Sequence, residues 1–158
     1  MMIRRMKVED LPQVEQIEQS LFSDAWSRQG FLDALDSEYT VSLVAEDSVL
    51  DSDGSITKRI LGYTIMYVFF EEGEICNVAV AEDTQKQGVG SALMNAMLEE
   101  GTEESMTRFI LEVRVSNTPA IALYKKFGFT EIGIRRDFYE KPREDALIMV
   151  REKETEKC

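Results

Sequence analysis

Three features of the sequence contain residue types that can take part in chemistry: a glycine-containing loop, a glutamate within an apolar segment and a tyrosine on a predicted helix. The loop comprises Gln85, Lys86, Gln87, Gly88, Val89, Gly90 and Ser91, between a predicted strand and a predicted helix. Glycines let a backbone approach a ligand closely, and the first N–H groups of a helix have no partner within it. The pattern favours an anion site for phosphate or pyrophosphate; the alternative is an ordinary strand-to-helix turn.

Two better-known phosphate loops do not match this segment. The nucleotide P-loop requires a Gly-Lys-Ser/Thr ending that is absent here. The dinucleotide-binding fingerprint would place its third glycine at Leu93, so only Gly88 and Gly90 fit. The loop therefore belongs to another class of phosphate site, or to none.

Glu112 interrupts an apolar segment predicted to be a strand over residues 109–115. Because side chains alternate between the faces of a strand, Glu112 lies opposite Leu111 and Val113. A buried carboxylate without a partner would be costly. From the residues alone, Glu112 is either a catalytic base or one half of a structural ion pair with Arg114, which shares its face.

Tyr124 and Asn117 belong to the helix that follows this strand. Tyr124 has helical spacing from Ala120 and Phe127, which is more typical of a core aromatic than of a catalytic group. Asn117 precedes Thr118 and a proline, so it is either a helix cap or a residue that contacts a ligand. The two positions are therefore ambiguous without further information.

Hydrophobic periodicity and turn residues predict the elements that must position these groups. Helices are expected at Leu11–Leu21, after a Ser27 cap, between the glycine loop and Gly101, and from Asn117 to Gly128. Strands are expected near Ile3 and at 41–45, 60–70, 75–80, 109–115, 130–135 and 146–151. The strand-helix-strand stretch from 75 to 115 predicts two neighbouring parallel strands.

Length and composition indicate one domain, over residues 1–151, followed by a charged mobile tail over 152–158. The net charge of −12 argues against nucleic-acid binding and favours a cationic partner. No histidine is present, and Cys76 and Cys158 lack ligand spacing, so we expect no metal site. No apolar stretch predicts a membrane span or a secretion signal, and we expect a cytoplasmic monomer.

The loop pattern Gln85-x-x-Gly88-x-Gly90 resembles the pyrophosphate loop of the GNAT acetyltransferase superfamily. Further segments resemble the RimI-type ribosomal-protein-alanine N-acetyltransferases within it. These segments are Trp26-Ser27, 111–117, 120–124, 127–129, 134–139 and 143–146. The resemblance therefore extends over nearly the whole chain.

This resemblance implies an α/β (α+β) fold of the GNAT type: a mixed, mostly antiparallel seven-stranded sheet with a central parallel pair and flanking helices. It implies acetyl-CoA as the cosubstrate, bound by Val78, Ala79, Val80, the loop 85–91 and Asn117. It further implies that Glu112 is the base and Tyr124 the proton donor in direct transfer to an amine. Trp26, Asn77 and Tyr139 are the residues that we expect to shape the acceptor site.

The implied acceptor is the N-terminal alanine of the eighteenth protein of the small ribosomal subunit, which is a basic protein. An α-amine with a pKa near 8 is about a tenth neutral at pH 7, whereas a lysine is almost entirely protonated, so the α-amine needs less from a base. The alternatives are an acetyltransferase for lysine, a polyamine or another small amine, and a non-catalytic acyl-CoA-binding or scaffolding module.

Overall fold

The computed structural model describes residues 1–103 and 105–152. Its strands are β1 (Met2–Arg5), β2 (Thr40–Leu50), β3 (Ile56–Phe69), β4 (Glu72–Val80), β5 (Arg108–Arg114), β6 (Thr130–Glu140) and β7 (Arg143–Glu152). Its helices are α1 (Leu11–Leu21), α2 (Arg28–Asp36), α3 (Val89–Glu103) and α4 (Thr118–Lys126). Over these described ranges, no helix is both long enough and apolar enough to cross a bilayer.

The strands form a single seven-stranded sheet in the order β1-β2-β3-β4-β5-β7-β6. Strands β4 and β5, which α3 connects, run parallel, and the other neighbouring pairs run antiparallel. The predicted element order and the central parallel pair are both confirmed.

Helices cover both faces of the sheet. On one face, α1 and α2 bury Leu11, Val14 and Phe31 against a cluster that includes Tyr63 and Ile65 of β3. On the other face, a larger cluster joins α3 and α4 to the sheet; its members include Leu93, Met94, Met97, Leu111, Val113, Tyr124, Leu147 and Met149. The 3.6-residue spacing on the helices and the alternation along the strands account for both layers.

Strands β4 and β5 separate before either strand ends. Their ladder runs from the pair Glu72 and Arg108 to the pair Ile75 and Leu111, although β4 continues to Val80. Just beyond the last pair, Cys76 is an extra residue in the register with β3, which makes a β-bulge. On its β5 side, the rest of β4 therefore presents backbone groups that no strand of the described chain pairs.

Strands β2 and β3 extend beyond the predicted strands 41–45 and 60–70 into the connection over residues 47–59. Residues 46–50 pair with 56–60, so β2 and β3 continue as a two-stranded hairpin to a turn at 51–55. The sequence shows no apolar alternation here because residues 47–50 and 56–58 are exposed on both faces of the two strands. Glu152, assigned to the tail by the sequence, is the last residue of β7; residues 153–158 lie outside the described ranges.

Candidate active site

A cleft of about 590 Å³ opens where β4 and β5 separate. It is bounded by the α1–α2 segment on one side and by the β6–β7 hairpin on the other. The residues predicted from sequence that line it are Trp26, Asn77, Val78, Glu112, Asn117, Tyr124 and Tyr139. Residues separated by more than a hundred positions in the chain thus share one cavity.

Glu112 lies on the strand face opposite Leu111 and Val113, as predicted, and faces the cleft. Its carboxylate Oε1 lies 3.4 Å from Nε of Arg135 on β6, and its side chain is 18% exposed. The predicted alternative partner, Arg114, instead pairs with Glu144, with 3.3 Å between Nη1 and Oε1. That alternative was wrong because the neighbouring strands β6 and β7 supply closer partners to both residues.

The electrostatic surroundings of Glu112 favour a carboxyl group that can exchange a proton. Burial raises its pKa above the ordinary value for glutamate; the Arg135 guanidinium lowers it, and the Glu74 carboxylate raises it further. A raised pKa brings a carboxylate closer to the range in which it can accept a proton from an ammonium group.

Tyr124 is 7% exposed and belongs to the core cluster beneath the opposite face of the sheet. It nevertheless lines the same cleft as Glu112, because the sheet is open between β4 and β5 at this level. Burial raises the pKa of its phenol, and the neighbouring phenol of Tyr139 adds to the shift. The hydroxyl therefore stays protonated at neutral pH and is available as a proton donor.

The glycine loop follows the end of β4 and precedes the first turn of α3. Gly88 has a φ of +84°, and a Cβ there would meet no atom within 4 Å. Nε2 of Gln85 donates a hydrogen bond of 3.2 Å to the carbonyl oxygen of Val80, so this side chain ties the loop to the strand. The N-terminal N–H groups of α3 thus lie directly after the open stretch of β4.

The loop and the last residues of β4 lie outside the lining of the cleft. Ala79 is 1% exposed and its side chain packs in the α1–α2 core, so only its backbone can contact a ligand. Nζ of Lys126 lies 3.5 Å from Oγ of Ser91 and adds a positive charge beside the loop. Sequence reasoning missed Lys126 because it lies on α4, 35 residues away along the chain.

Asn117 is the N-cap of α4. Its Oδ1 accepts a hydrogen bond of 3.3 Å from the backbone N–H of Ala120, which confirms the capping interpretation. Its amide NH₂ group has two further hydrogens to donate and lies on the cleft. Capping and ligand contact are therefore compatible at this residue.

Trp26 and Tyr139 form facing walls of the cleft. The Trp26 ring packs 5.3 Å from the ring of Phe31 and 6.5 Å from that of Tyr67. The Arg114 guanidinium lies 4.3 Å from the centre of the Tyr139 ring. The two walls are in contact, because the Ser23 hydroxyl donates a hydrogen bond to the backbone carbonyl of Lys141.

Sequence reasoning missed Glu18, which also lines the cleft. This residue of α1 is 1% exposed, and burial raises the pKa of its carboxyl to about 7. The sequence did contain a signal, since Glu18 follows Leu11 by seven positions and Val14 by four and so lies on the buried face of the helix.

Comparisons with known proteins show which family and which relatives the chain is similar to. A family model described as the acetyltransferase (GNAT) family matches residues 11–129. The ribosomal protein bS18-alanine N-acetyltransferase of Salmonella typhimurium strain LT2 is 35% identical over 143 residues, 89% of this chain and 89% of that protein. Its counterpart of the same description in Escherichia coli strain K12 is 33% identical over 149 residues, 93% of this chain and 94% of that one.

Among solved structures, the ribosomal-protein-S18-alanine N-acetyltransferase from Escherichia coli is similar over almost the whole chain. The two superpose with a TM-score of 0.81 at 31% identity, covering 99% of this chain and 97% of that chain. The likeness therefore includes the β6–β7 hairpin, which lies beyond the segment that the family model matches.

Proposed function

Because the chain belongs to the acetyltransferase (GNAT) family, we propose that it transfers an acetyl group from acetyl-CoA to the N-terminal alanine of a ribosomal protein. The observation that carries the proposal is the cleft that Glu112 and Tyr124 share where β4 and β5 separate. A non-catalytic acyl-CoA-binding module would need the loop but not this pair of ionisable groups.

The residues around the gap fit acetyl-CoA, which when bound would supply the acetyl group as a thioester. The backbone groups of β4 from Asn77 to Val80 would hold the amide-containing arm, because amides pair with an open strand edge. The loop from Gln85 to Ser91, with Lys126 beside it, would hold the pyrophosphate at the N-terminus of α3.

Glu112 and Tyr124 would handle the two protons of the reaction. Glu112, directly or through a water molecule, takes a proton from the acceptor ammonium, which leaves a lone pair on the nitrogen to form the new C–N bond. As the C–S bond breaks, Tyr124 gives its phenolic proton to the departing sulfur, and the second proton of the acceptor nitrogen, lost as the amide forms, passes through water to the Tyr124 phenolate. The N–H groups of β4 stabilise the negative charge that develops on the carbonyl oxygen.

The chemistry of the cleft supports a cationic acceptor. Its lining includes the carboxylates of Asp24, Glu74 and Glu112 together with the aromatic rings of Trp26 and Tyr139. Carboxylates attract an ammonium group, and an α-amine loses its proton more readily than a lysine does. The relatives at 33% and 35% identity act, by their description, on an alanine of ribosomal protein bS18, which supports an N-terminal alanine here.

The proposal is tested by thiol release from acetyl-CoA with a peptide that begins with alanine and arginine. The matched control is the same peptide with a blocked N-terminus and an internal lysine. We expect release only with the free N-terminus. Equal release from both peptides would move the acceptor to lysine or to amines in general, and release from neither would contradict the N-terminal alanine proposal.

A further inference from the structure

The carboxylate of Glu18 connects three separate parts of the cleft. Its Oε1 accepts a hydrogen bond of 3.2 Å from the backbone N–H of Trp26, in the α1–α2 segment. Its Oε2 accepts one from the hydroxyl of Tyr63 on β3 and one of 3.4 Å from Nδ2 of Asn77 on β4. Helix α1 is thereby tied to both the acceptor wall and the bulged strand.

These contacts call for a carboxylate in its ionised form. All three partners are donors, and an ionised carboxylate has only acceptor sites to offer them. The Tyr63 hydroxyl can also accept a hydrogen bond, but the backbone N–H of Trp26 and the NH₂ group of Asn77 cannot. A protonated carboxyl group, or the NH₂ group of a glutamine, that directed a hydrogen at Trp26 or Asn77 would therefore oppose a donor. That donor would lose its acceptor inside a buried site, and the wall to which it belongs would shift.

Under the proposed function, the two parts of the cleft that Glu18 joins hold different substrates. Trp26 lines the side proposed for the acceptor, and the backbone of β4 from Asn77 onward is the part proposed to hold the arm of acetyl-CoA. An error of about 1 Å in the relative position of two reactants can cost on the order of a hundredfold in rate. A single group that fixes both walls therefore controls the alignment of the two substrates.

We propose that Glu18 is a positioning residue for acetyl transfer, because its carboxylate holds Trp26 and Asn77 in register across the floor of the cleft. The proposal rests on the proposed function for its effect on turnover. Its structural part, the link between Glu18 and Trp26, can be tested without any acceptor.

The ionisation of Glu18 gives this link a measurable signature. Burial raises the pKa of Glu18 to about 7, and the hydrogen bond from the Trp26 backbone opposes that shift. The other ionisable groups around it include the phenols of Tyr63 and Tyr67 on β3, the thiol of Cys76 and the carboxylates of Glu74, Glu112 and Asp24. Burial and the nearby Glu74 raise the pKa of Cys76 to about 12, so the thiol titrates in a different range.

Trp26 is the one tryptophan of the chain, so fluorescence excited at a wavelength that the five tyrosines do not absorb reports on it alone. We expect the Trp26 emission of the wild type to titrate with a midpoint of about 7. The transition should disappear in Glu18→Gln. It should persist in Asp24→Asn and in Glu15→Gln, a matched control on α1 whose carboxylate pairs with Arg28 at 2.6 Å instead of lining the cleft.

Turnover separates positioning from simple stabilisation. In Glu18→Gln we expect kcat with the alanine peptide to fall roughly tenfold to a hundredfold above pH 7, where the wild-type carboxylate is ionised, and the difference from wild type to narrow at lower pH. Tyr63→Phe removes one donor to the carboxylate and raises its pKa, so the variant should lose activity near neutral pH. It should regain wild-type kcat about two pH units higher, where Glu18 is ionised again. A loss of stability alone would not be reversed in this way.

The outcomes decide each part separately. Persistence of the Trp26 transition in Glu18→Gln would overturn the link, whatever the acceptor. Loss of the transition with an unchanged kcat would overturn the positioning role. A wild type that titrates as expected but acetylates no alanine peptide would contradict the acceptor proposal while the Glu18–Trp26 link stands; kcat would then be measured with the acceptor that the enzyme does use.

Discussion

At the scale of single residues, the proposed chemistry depends on two groups that reach the cleft from opposite faces of the sheet. Glu112 projects from the face on which α1 and α2 lie, whereas Tyr124 belongs to the core beneath the other face. They line one cavity because β4 and β5 are separated there. A continuous sheet would keep the two groups apart.

The first prediction concerns these two groups. Glu112→Gln removes the proposed proton acceptor and Tyr124→Phe removes the proposed proton donor, so each variant should lower kcat on the order of a hundredfold or more. Initial rates of thiol release at saturating acetyl-CoA and peptide measure the effect. Near-normal turnover across the pH range in either variant would exclude the role assigned to that residue.

The second prediction uses the charges around Glu112. The base must be ionised to work, so activity should rise as pH rises through its pKa. Arg135→Gln removes the cation that lowers this pKa and should lose activity relative to wild type mainly at low pH. Glu74→Gln removes a charge that raises it and should gain activity there. The ratio of kcat to wild type, measured across pH, checks both directions.

Arg136→Gln is the control for the second prediction, since it removes the same charge one position from Arg135. The groups that act on the pKa of Glu112 do not include Arg136, so the ratio of its kcat to wild type should not change with pH. Shifts of the same sign in Arg135→Gln and Glu74→Gln would contradict an electrostatic cause.

At the scale of elements, the glycine loop acts through the conformation of its backbone. Gly88 adopts a positive φ, which other residues reach only with strain, and it does so immediately before the first turn of α3. The loop position therefore constrains the direction in which the first N–H groups of the helix point. Its function should depend on backbone conformation more than on side-chain identity.

The third prediction compares two glycines. Gly88→Ala and Gly54→Ala both place a side chain at a positive φ, +84° and +87°, with no atom within 4 Å of the new Cβ. Both should lower the free energy of unfolding by about 1 kcal/mol through backbone strain. Only Gly88→Ala should raise the KM for acetyl-CoA, because Gly54 lies in the β2–β3 turn. Equal KM values for acetyl-CoA in the two variants would contradict a role of the loop in binding the cosubstrate.

Most elements could be predicted from the sequence because their signals are local. Helical spacing located α1 from Leu11 to Leu21, and strand alternation placed Glu112 opposite Leu111. The ion partners of Glu112 and Arg114 could not be predicted, because they come from β6 and β7 through long-range pairing. For Glu18, the buried position could be predicted from helical spacing, but the three groups that donate hydrogen bonds to its carboxylate could not.

At the scale of the whole molecule, the net charge of −12 produces a field that extends beyond the cleft. Such a field attracts a basic peptide and is weakened by salt over a distance of about 10 Å at 0.1 M ionic strength. The acidic surface therefore adds to the attraction that the carboxylates inside the cleft exert on a basic peptide.

The fourth prediction follows from this field. The kcat/KM for a basic alanine peptide should fall as ionic strength rises, whereas that for an uncharged peptide of the same length should change little. Stopped assays over a salt series, with an inert salt, measure the difference. If kcat/KM changed equally with salt for the two peptides, long-range attraction would not contribute to substrate binding.

The gap between β4 and β5 also bears on how the enzyme could be inhibited and how it could evolve resistance. Where β4 has no partner strand, what it offers to a bound molecule is the peptide backbone of residues 76–80, which every sequence carries. A linear compound with suitably spaced amides would bind by adding a strand to the sheet. Single amino-acid replacements would weaken such a compound only by altering the course of the strand, because the groups it contacts are not encoded by side chains.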